Sequence, residues 1–312
     1  MTRVGAVDCG TNSIRLLIAD PAPGGGLTDV VRDMVIVRLG QGVDATGQFA
    51  PEAIERTREA LAGYVQAMKD HGVQRVRMVA TSATRDAGNR DEFFAMTADL
   101  LGEIVPGAVA EVISGQEEAA LSFLGAVGQL DPAEGPFVVT DLGGGSTEVV
   151  MDRAAFSANI GCVRLTEHDL HSDPPTDDEI AAAKTFVAQQ LAPAFEAVPV
   201  EQARTWVGVA GTLTTIGAID LGLDIYDSER IHLSRHTLTD VQRICAQLLA
   251  ATRAERAGMG VMHPGRVDVI GGGALVTAAL ADEFAERAGI TELVVSEHDI
   301  LDGIALGLLS ST

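Results

Sequence analysis

One pattern occurs twice in this chain. Asp8-x-Gly10-x-x-Ser13 and Asp141-x-Gly143-x-x-Ser146 each lie between two apolar runs, offset by 133 residues. A repeat in register at that distance requires the same supersecondary unit to be built twice. Apolar runs and their breakers outline the unit: strands near 3–8, 14–20 and 30–38, a helix over 51–70 introduced by Pro51, a strand at 75–80, a helix near 89–101, a strand at 108–113 and a helix from about Ser114. From Gly135 the order starts again. PFVVTD, TEVVMD and AAFSANI read as three strands, followed by helices at 163–170 and 176–192, strands at 205–210 and 292–297, and helices at 211–220, 238–250, 264–284 and 299–311. An α/β protein of two duplicated halves is predicted, with Gly271-Gly272-Gly273 interrupting the 264–284 segment and PAPGGG at 21–26 a hairpin loop without a chemical role.

A chain of 312 residues, 46% hydrophobic, is more than one core usually organises and fits two domains. Two lysines and 20 arginines face 44 acids, for a net charge of -22. A nonspecific nucleic-acid binder needs the opposite balance, so no nucleic-acid partner is expected and a polyanionic substrate has to be handled locally. Cys9, Cys162 and Cys245 are widely spaced without a CxxC pair, which indicates neither a disulfide framework nor a zinc site and suits a cytoplasmic location. No apolar stretch reaches the roughly 20 residues of a membrane span, so no membrane partner is expected.

DLGGGSTE, residues 141–148, frees backbone N–H groups to face one concavity, which holds phosphate without lysine. A plain tight hairpin suits the same glycines. Both loops run strand to strand with no lysine nearby, which excludes a Walker or Rossmann reading. Two such hairpins facing each other across an interdomain cleft would suit a chain of phosphates, held by the N–H groups of Gly143, Gly144, Gly145 and Ser146. Asp8, Asp141 and Glu148 flank the loops as oxygen ligands for Mg2+, or cap their turns. Arg85, in ATSATRD, is the choice for a guanidinium fork on phosphate. Asn12, Ser13 and Arg15 are further candidates in the first hairpin, with Arg15 free to alternate onto the outer sheet face. Gly211 and Thr212 open a helix whose N-terminus can take another phosphate. Glu117 and Glu118 open a helix and point about 100° apart, so one of them at a time faces a given site. The pairs His232/His236 and His168/His171 read as surface or interface residues with no acid to complete a ligand set.

VDCGTNSIRLLI, VATSATRDAGNRDEF, VISGQEEA, VVTDLGGGSTEVV, GCVRLTE, GVAGTLTTIGAI and SEHDILDGIALG, in that order, resemble the exopolyphosphatase and guanosine pentaphosphate phosphohydrolase family of the actin, sugar-kinase and heat-shock chaperone ATPase superfamily. The resemblance spans the chain. It implies two ribonuclease H-like (actin-like ATPase) domains around a cleft, here 1–125 plus 298–312 and 126–297, with hinges near 122–134 and 296–298. It further implies Mg2+-assisted hydrolysis of a terminal phosphoanhydride of inorganic polyphosphate or guanosine pentaphosphate, Glu118 as the matching catalytic base, and a homodimer. Longer members continue into a helical C-terminal region, so a short two-domain form is expected to favour short polyphosphate. Rival readings are a guanosine pentaphosphate 5′-phosphohydrolase, a non-catalytic polyphosphate or nucleotide sensor, and an ATP-dependent kinase, the last disfavoured because a water-activating acid would waste ATP.

Overall fold

The computed structural model describes residues 2–23 and 25–310. Its elements run β1 (Val4–Cys9), β2 (Ser13–Pro21), β3 (Leu27–Ile36), α1 (Val43–Thr46), α2 (Pro51–Asp70), β4 (Arg75–Ala80), α3 (Ser82–Asp86), α4 (Arg90–Leu101), β5 (Glu111–Val112) and α5 (Gly115–Val127). The second series is β6 (Phe137–Leu142), β7 (Thr147–Met151), β8 (Ala154–Ala158), α6 (Cys162–Asp169), α7 (Asp177–Ala197), β9 (Thr205–Val209), α8 (Ala210–Asp220), α9 (Ser228–Ile231), β10 (Ser234–Thr237), α10 (Leu238–Ala250), α11 (Arg253–Ala257), α12 (Ile270–Ala288) and β11 (Glu292–Val295). Helix α13 (Ile300–Ser310) closes the chain. Two compact units result, residues 1–128 with 300–312, and 129–299. Gly24 of the 21–26 loop lies outside the described residues.

Both sheets follow one order. Among the described residues the first is β3-β2-β1-β4-β5, and the second is β8-β7-β6-β9-β11 with β10 added at its edge. In each, the first three strands form an antiparallel meander and the last two join in parallel. The duplication read from the two Asp-x-Gly patterns is therefore a duplication of ribonuclease H-like topology.

Strand pleat sorts the first unit's core. Val7, Cys9, Ile14, Leu16 and Ile18 point to a cluster shared with Leu61, Met68 and Phe93 of α2 and α4. Val4, Ala6, Leu17 and Ala19 point the other way, onto Ile300, Leu301, Ile304 and Ala305 of α13. Helix α13 packs along α5, where Gly303 is required because a Cβ there would lie 2.1 Å from the Leu121 carbonyl oxygen. A half-buried ion pair ties the same helix to the sheet: Arg32 on β3 gives Nη2 to the buried Asp302 Oδ1 at 2.7 Å and Nη1 to Oδ2 at 3.2 Å.

Local signals explain most boundaries. Pro51 sits in the first turn of α2, and Ser114 caps α5 by accepting the Glu117 amide at 3.2 Å. Thr176 and Glu179 form a capping box at the start of α7. That helix runs on through Pro193 to Ala197, past the end expected at 192, because buried Leu191, Ala194 and Phe195 straddle the proline. The expected helix at 264–284 is a 3-10 turn at Pro264–Arg266 followed by α12 from Ile270. Its three glycines lie inside the first turn of α12 and are all buried. Added Cβ atoms there would reach Arg256 Nη2 at 2.9 Å, Thr166 Oγ1 at 2.7 Å and Thr212 Oγ1 at 2.4 Å. The run is a packing surface, not a break. The segment expected as a strand over 108–113 pairs only at Glu111 and Val112, and β10 has no counterpart in the sequence reading because SRHT carries no apolar alternation.

Candidate active site

In the first unit, Gly10 N–H donates to Ser13 O at 2.9 Å and closes the turn that carries Asp8. Asp8 is 5% exposed and lies directly opposite Arg15 on the ladder, so both project from the α13 side of the sheet. Arg15 gives Nη2 at 2.7 Å and Nε at 3.1 Å to Asp8 Oδ2. Arg15, which the sequence left free to alternate onto the outer face, is held to Asp8 instead. The carbonyls of Thr11 and Asn12 accept from the amides of Gly40 and of Val37 and Arg38. In a trans peptide C=O and N–H point in opposite directions, so the Asn12 N–H is directed away from that support.

Helix α5 separates its two acids. Glu117 is turned outward, where Arg77 Nη2 holds it at 2.6 Å beside Glu111. Glu118 is turned inward and buried, its Oε2 accepting from Arg85 Nη1 at 2.7 Å. Arg85 Nη1 also donates to the Ile113 carbonyl at 3.1 Å. The arginine and glutamate are 33 residues apart and meet because parallel β4 and β5 bring α3 and the start of α5 to one end of the sheet.

In the second unit Asp141 and Glu148 are cross-strand partners on β6 and β7, 6% and 1% exposed. They share the face of Val139 and Val150, opposite that of Val138, Leu142 and Val149 in the main cluster. Ser157, opposite Glu148 on β8, donates to Glu148 Oε1 at 2.6 Å. The sequence reading missed Ser157, although ladder register alone would have found it. The glycine loop is anchored from below. Gly143 O accepts from Cys162 N at 3.0 Å, and Gly144 O accepts from Val163 and Arg164 N at 2.9 and 3.0 Å. Gly161 makes this approach possible, since a Cβ there would sit 2.5 Å from Gly144 C. Because those carbonyls face α6, the N–H groups of Gly144 and Gly145 point the opposite way. The Gly143 N–H is taken by Ser146 O at 3.0 Å, which removes it from the set of phosphate donors expected from the sequence.

Gly211 and Thr212 open α8, which has no side-chain cap, and Ala210 just before them takes the left-handed φ of 72°. Thr212 is buried, its side chain packed against Gly273, so its backbone amide rather than its hydroxyl faces the helix end. Arg266 lies flat over Gly211, where a Cβ would be 2.5 Å from Cζ, and donates Nη1 to Thr215 Oγ1 at 3.1 Å. No pattern in the sequence marks Arg266. His236 also departs from expectation: it is buried between Asp220 (Nδ1 to Oδ2, 2.7 Å) and Ser234 (Nε2 to Oγ, 2.7 Å), which makes it a link between β10 and α8 rather than a surface residue. The three cysteines are buried and free. Burial pushes the Cys162 thiol up to about 11 and Cys245 to about 12, which leaves both inert near neutral pH.

Among the described residues no helix is long and apolar enough to cross a membrane, and no group of three or more His, Cys, Asp or Glu forms a ready metal cage. Asp141 and Glu148 are nevertheless an all-oxygen donor pair on one face, which fits an ion that keeps several waters, whereas Asp8 is engaged by Arg15.

Known proteins share this architecture over the whole chain. Exopolyphosphatase 2 of Mycobacterium tuberculosis is 61% identical over 315 residues, covering 99% of each chain. The crystal structure of an exopolyphosphatase-like protein matches at 42% identity with a TM-score of 0.92, covering 98% of this chain and 97% of the other. The Aquifex aeolicus member of the Ppx/GppA family matches at 30% identity and a TM-score of 0.80, over 99% and 98% of the two chains. With the Ppx/GppA phosphatase family model matching residues 17–307, a span that holds the second hairpin and the acid-bearing helix, this chain belongs to that family of phosphatases.

Proposed function

We propose that the protein is an exopolyphosphatase that releases orthophosphate from the end of inorganic polyphosphate. The observation that carries this reading is the 61% identity, over 99% of both chains, to a protein named exopolyphosphatase 2. In the first unit Glu118 orients the attacking water and takes its proton as the water oxygen bonds to the terminal phosphorus. The anhydride P–O bond breaks, and the shortened polyphosphate leaves. Arg85 and the Asn12 N–H, with Ser13 beside it, bind phosphoryl oxygens. In the second unit the N–H groups of Gly144, Gly145 and Ser146, and those of Gly211 and Thr212 at the uncapped start of α8, are donors for phosphate oxygens, as helix ends and glycine turns are for anions. Asp141 and Glu148 would hold Mg2+, with Ser157 fixing Glu148. When bound, that ion neutralises charge on the phosphoryl oxygens.

The test is orthophosphate release with magnesium from short polyphosphate, long polyphosphate, guanosine pentaphosphate and ATP at equal terminal-phosphate concentration. Polyphosphate, short chains above long, is the expected preference. Faster release from guanosine pentaphosphate would replace the substrate, and binding without release from any of the four would make the protein a sensor. Gel filtration of the same sample tests for the homodimer. For the metal, Glu148→Gln is expected to raise the magnesium concentration for half-maximal rate by about tenfold while saturating magnesium restores most activity. A loss that saturating magnesium leaves in place would remove Glu148 from metal retention.

A further inference from the structure

We infer that Arg85 is a shared residue, one edge of its guanidinium fixing the Glu118 carboxylate while the other binds the phosphoryl group that the water attacks, so that the base is oriented against the very atom it serves. The inference rests on the reading of Glu118 as base and extends it to the residue that positions it.

The geometry divides the guanidinium into two working edges. Both protein contacts of Arg85 come from Nη1: 2.7 Å to Glu118 Oε2 and 3.1 Å to the Ile113 carbonyl. Nε and Nη2 donate to no acceptor among the described residues and are absent from the buried atoms that lack a partner, so this edge is open to solvent. Nε and Nη2 form the planar fork whose spacing matches two oxygens of a phosphate. Arg15 and Arg77 turn that same fork onto carboxylates, Asp8 in one case and Glu111 with Glu117 in the other. Arg85 keeps its fork for something outside the protein. Its side chain is 23% exposed and that of Glu118 10%, which places the pair at a surface where solvent reaches one side only. Nη1 is held at two points, so the plane of the fork is set before substrate arrives. A chain with a net charge of -22 gains most from a cation already oriented for a polyanion.

A double-mutant cycle with tripolyphosphate and magnesium tests this, using Arg85→Ala, Arg85→Lys, Glu118→Gln and the Arg85→Ala/Glu118→Gln double variant, each checked for an unchanged melting profile. Arg85→Ala is expected to raise KM about tenfold, through loss of a charge-assisted fork, and also to lower kcat at least tenfold. Arg85→Lys keeps the charge without the fork and should recover kcat in larger part than KM. The double variant should turn over within about threefold of Glu118→Gln alone, since residues acting as a unit lose their effect together. A rise in KM with kcat unchanged would reduce Arg85 to an anchor, and a fall in kcat with KM unchanged would leave the fork off the substrate; either overturns the shared role, as would kcat losses that multiply in the double variant. Failure of the base reading has its own signature, Glu118→Gln retaining wild-type turnover.

Discussion

Glu118→Gln is expected to lower kcat by about 10²–10⁴-fold on polyphosphate while KM stays within about threefold. The amide is nearly isosteric and its carbonyl oxygen still accepts from Arg85, so the bond at 2.7 Å and the local fold have a substitute. What the variant loses is the capacity to take a proton from water, which matters only as the transition state forms. Glu117→Gln is the control one residue away. Its carboxylate is 46% exposed and ion-paired to Arg77, and pairs of that kind contribute little, so turnover should stay within about twofold of wild type. Steady-state kinetics on both variants decides the matter: equal losses would mean that α5 presents neither acid selectively, and a parallel rise in KM for Glu118→Gln would recast that residue as a binding group.

The largest loss of stability is expected from Asp302→Ala. Asp302 is 2% exposed and receives both terminal nitrogens of Arg32, 270 residues away in sequence. Burial alone would pull the Arg32 pKa down, yet the charge and hydrogen bonds of Asp302, helped by Asp29, more than reverse this and raise it. Removing Asp302 leaves a part-buried guanidinium that keeps Asp29 on Nε, and losing one partner of such a charged pair costs about 2 kcal/mol. At about 2–4 °C per kcal/mol, the melting midpoint should fall by roughly 4–8 °C. Asp302→Asn retains shape and one acceptor and should fall by less. A midpoint for Asp302→Ala within about 1 °C of wild type would show that the pair does not hold α13 to the sheet.

Most of the fold was legible because strands and helices announce themselves over a few residues. The alternation of VGAVDC and SIRLLIADP, Pro51 at the start of α2 and the Thr176/Glu179 box each act within one or two turns of chain. The misread elements are those in which distant packing outweighs local preference. Gly271, Gly272 and Gly273 have poor helix propensity, but Arg256, α6 and α8 come too close for any side chain. Pro193 would end a helix were Ala194 and Phe195 not buried beyond it. Strand β10 is polar in sequence and exists as the edge partner of β11, with His236 bonded to Asp220 underneath.

The candidate site divides along the same line. Sequence by itself determined the two hairpins, the acids flanking them, the pair Glu117-Glu118 at a helix start and the family, because each is a matter of residue type at short spacing. The family resemblance already pointed to Glu118 over Glu117, and the tertiary structure showed it facing inward; the tertiary structure alone decided that Arg85 meets it through one nitrogen, that Arg15 grips Asp8, and that Gly143 closes its turn while Gly144 and Gly145 direct their amides outward. Those partnerships join elements dozens of residues apart, and their geometry follows from sheet order and register, which local spacing does not encode.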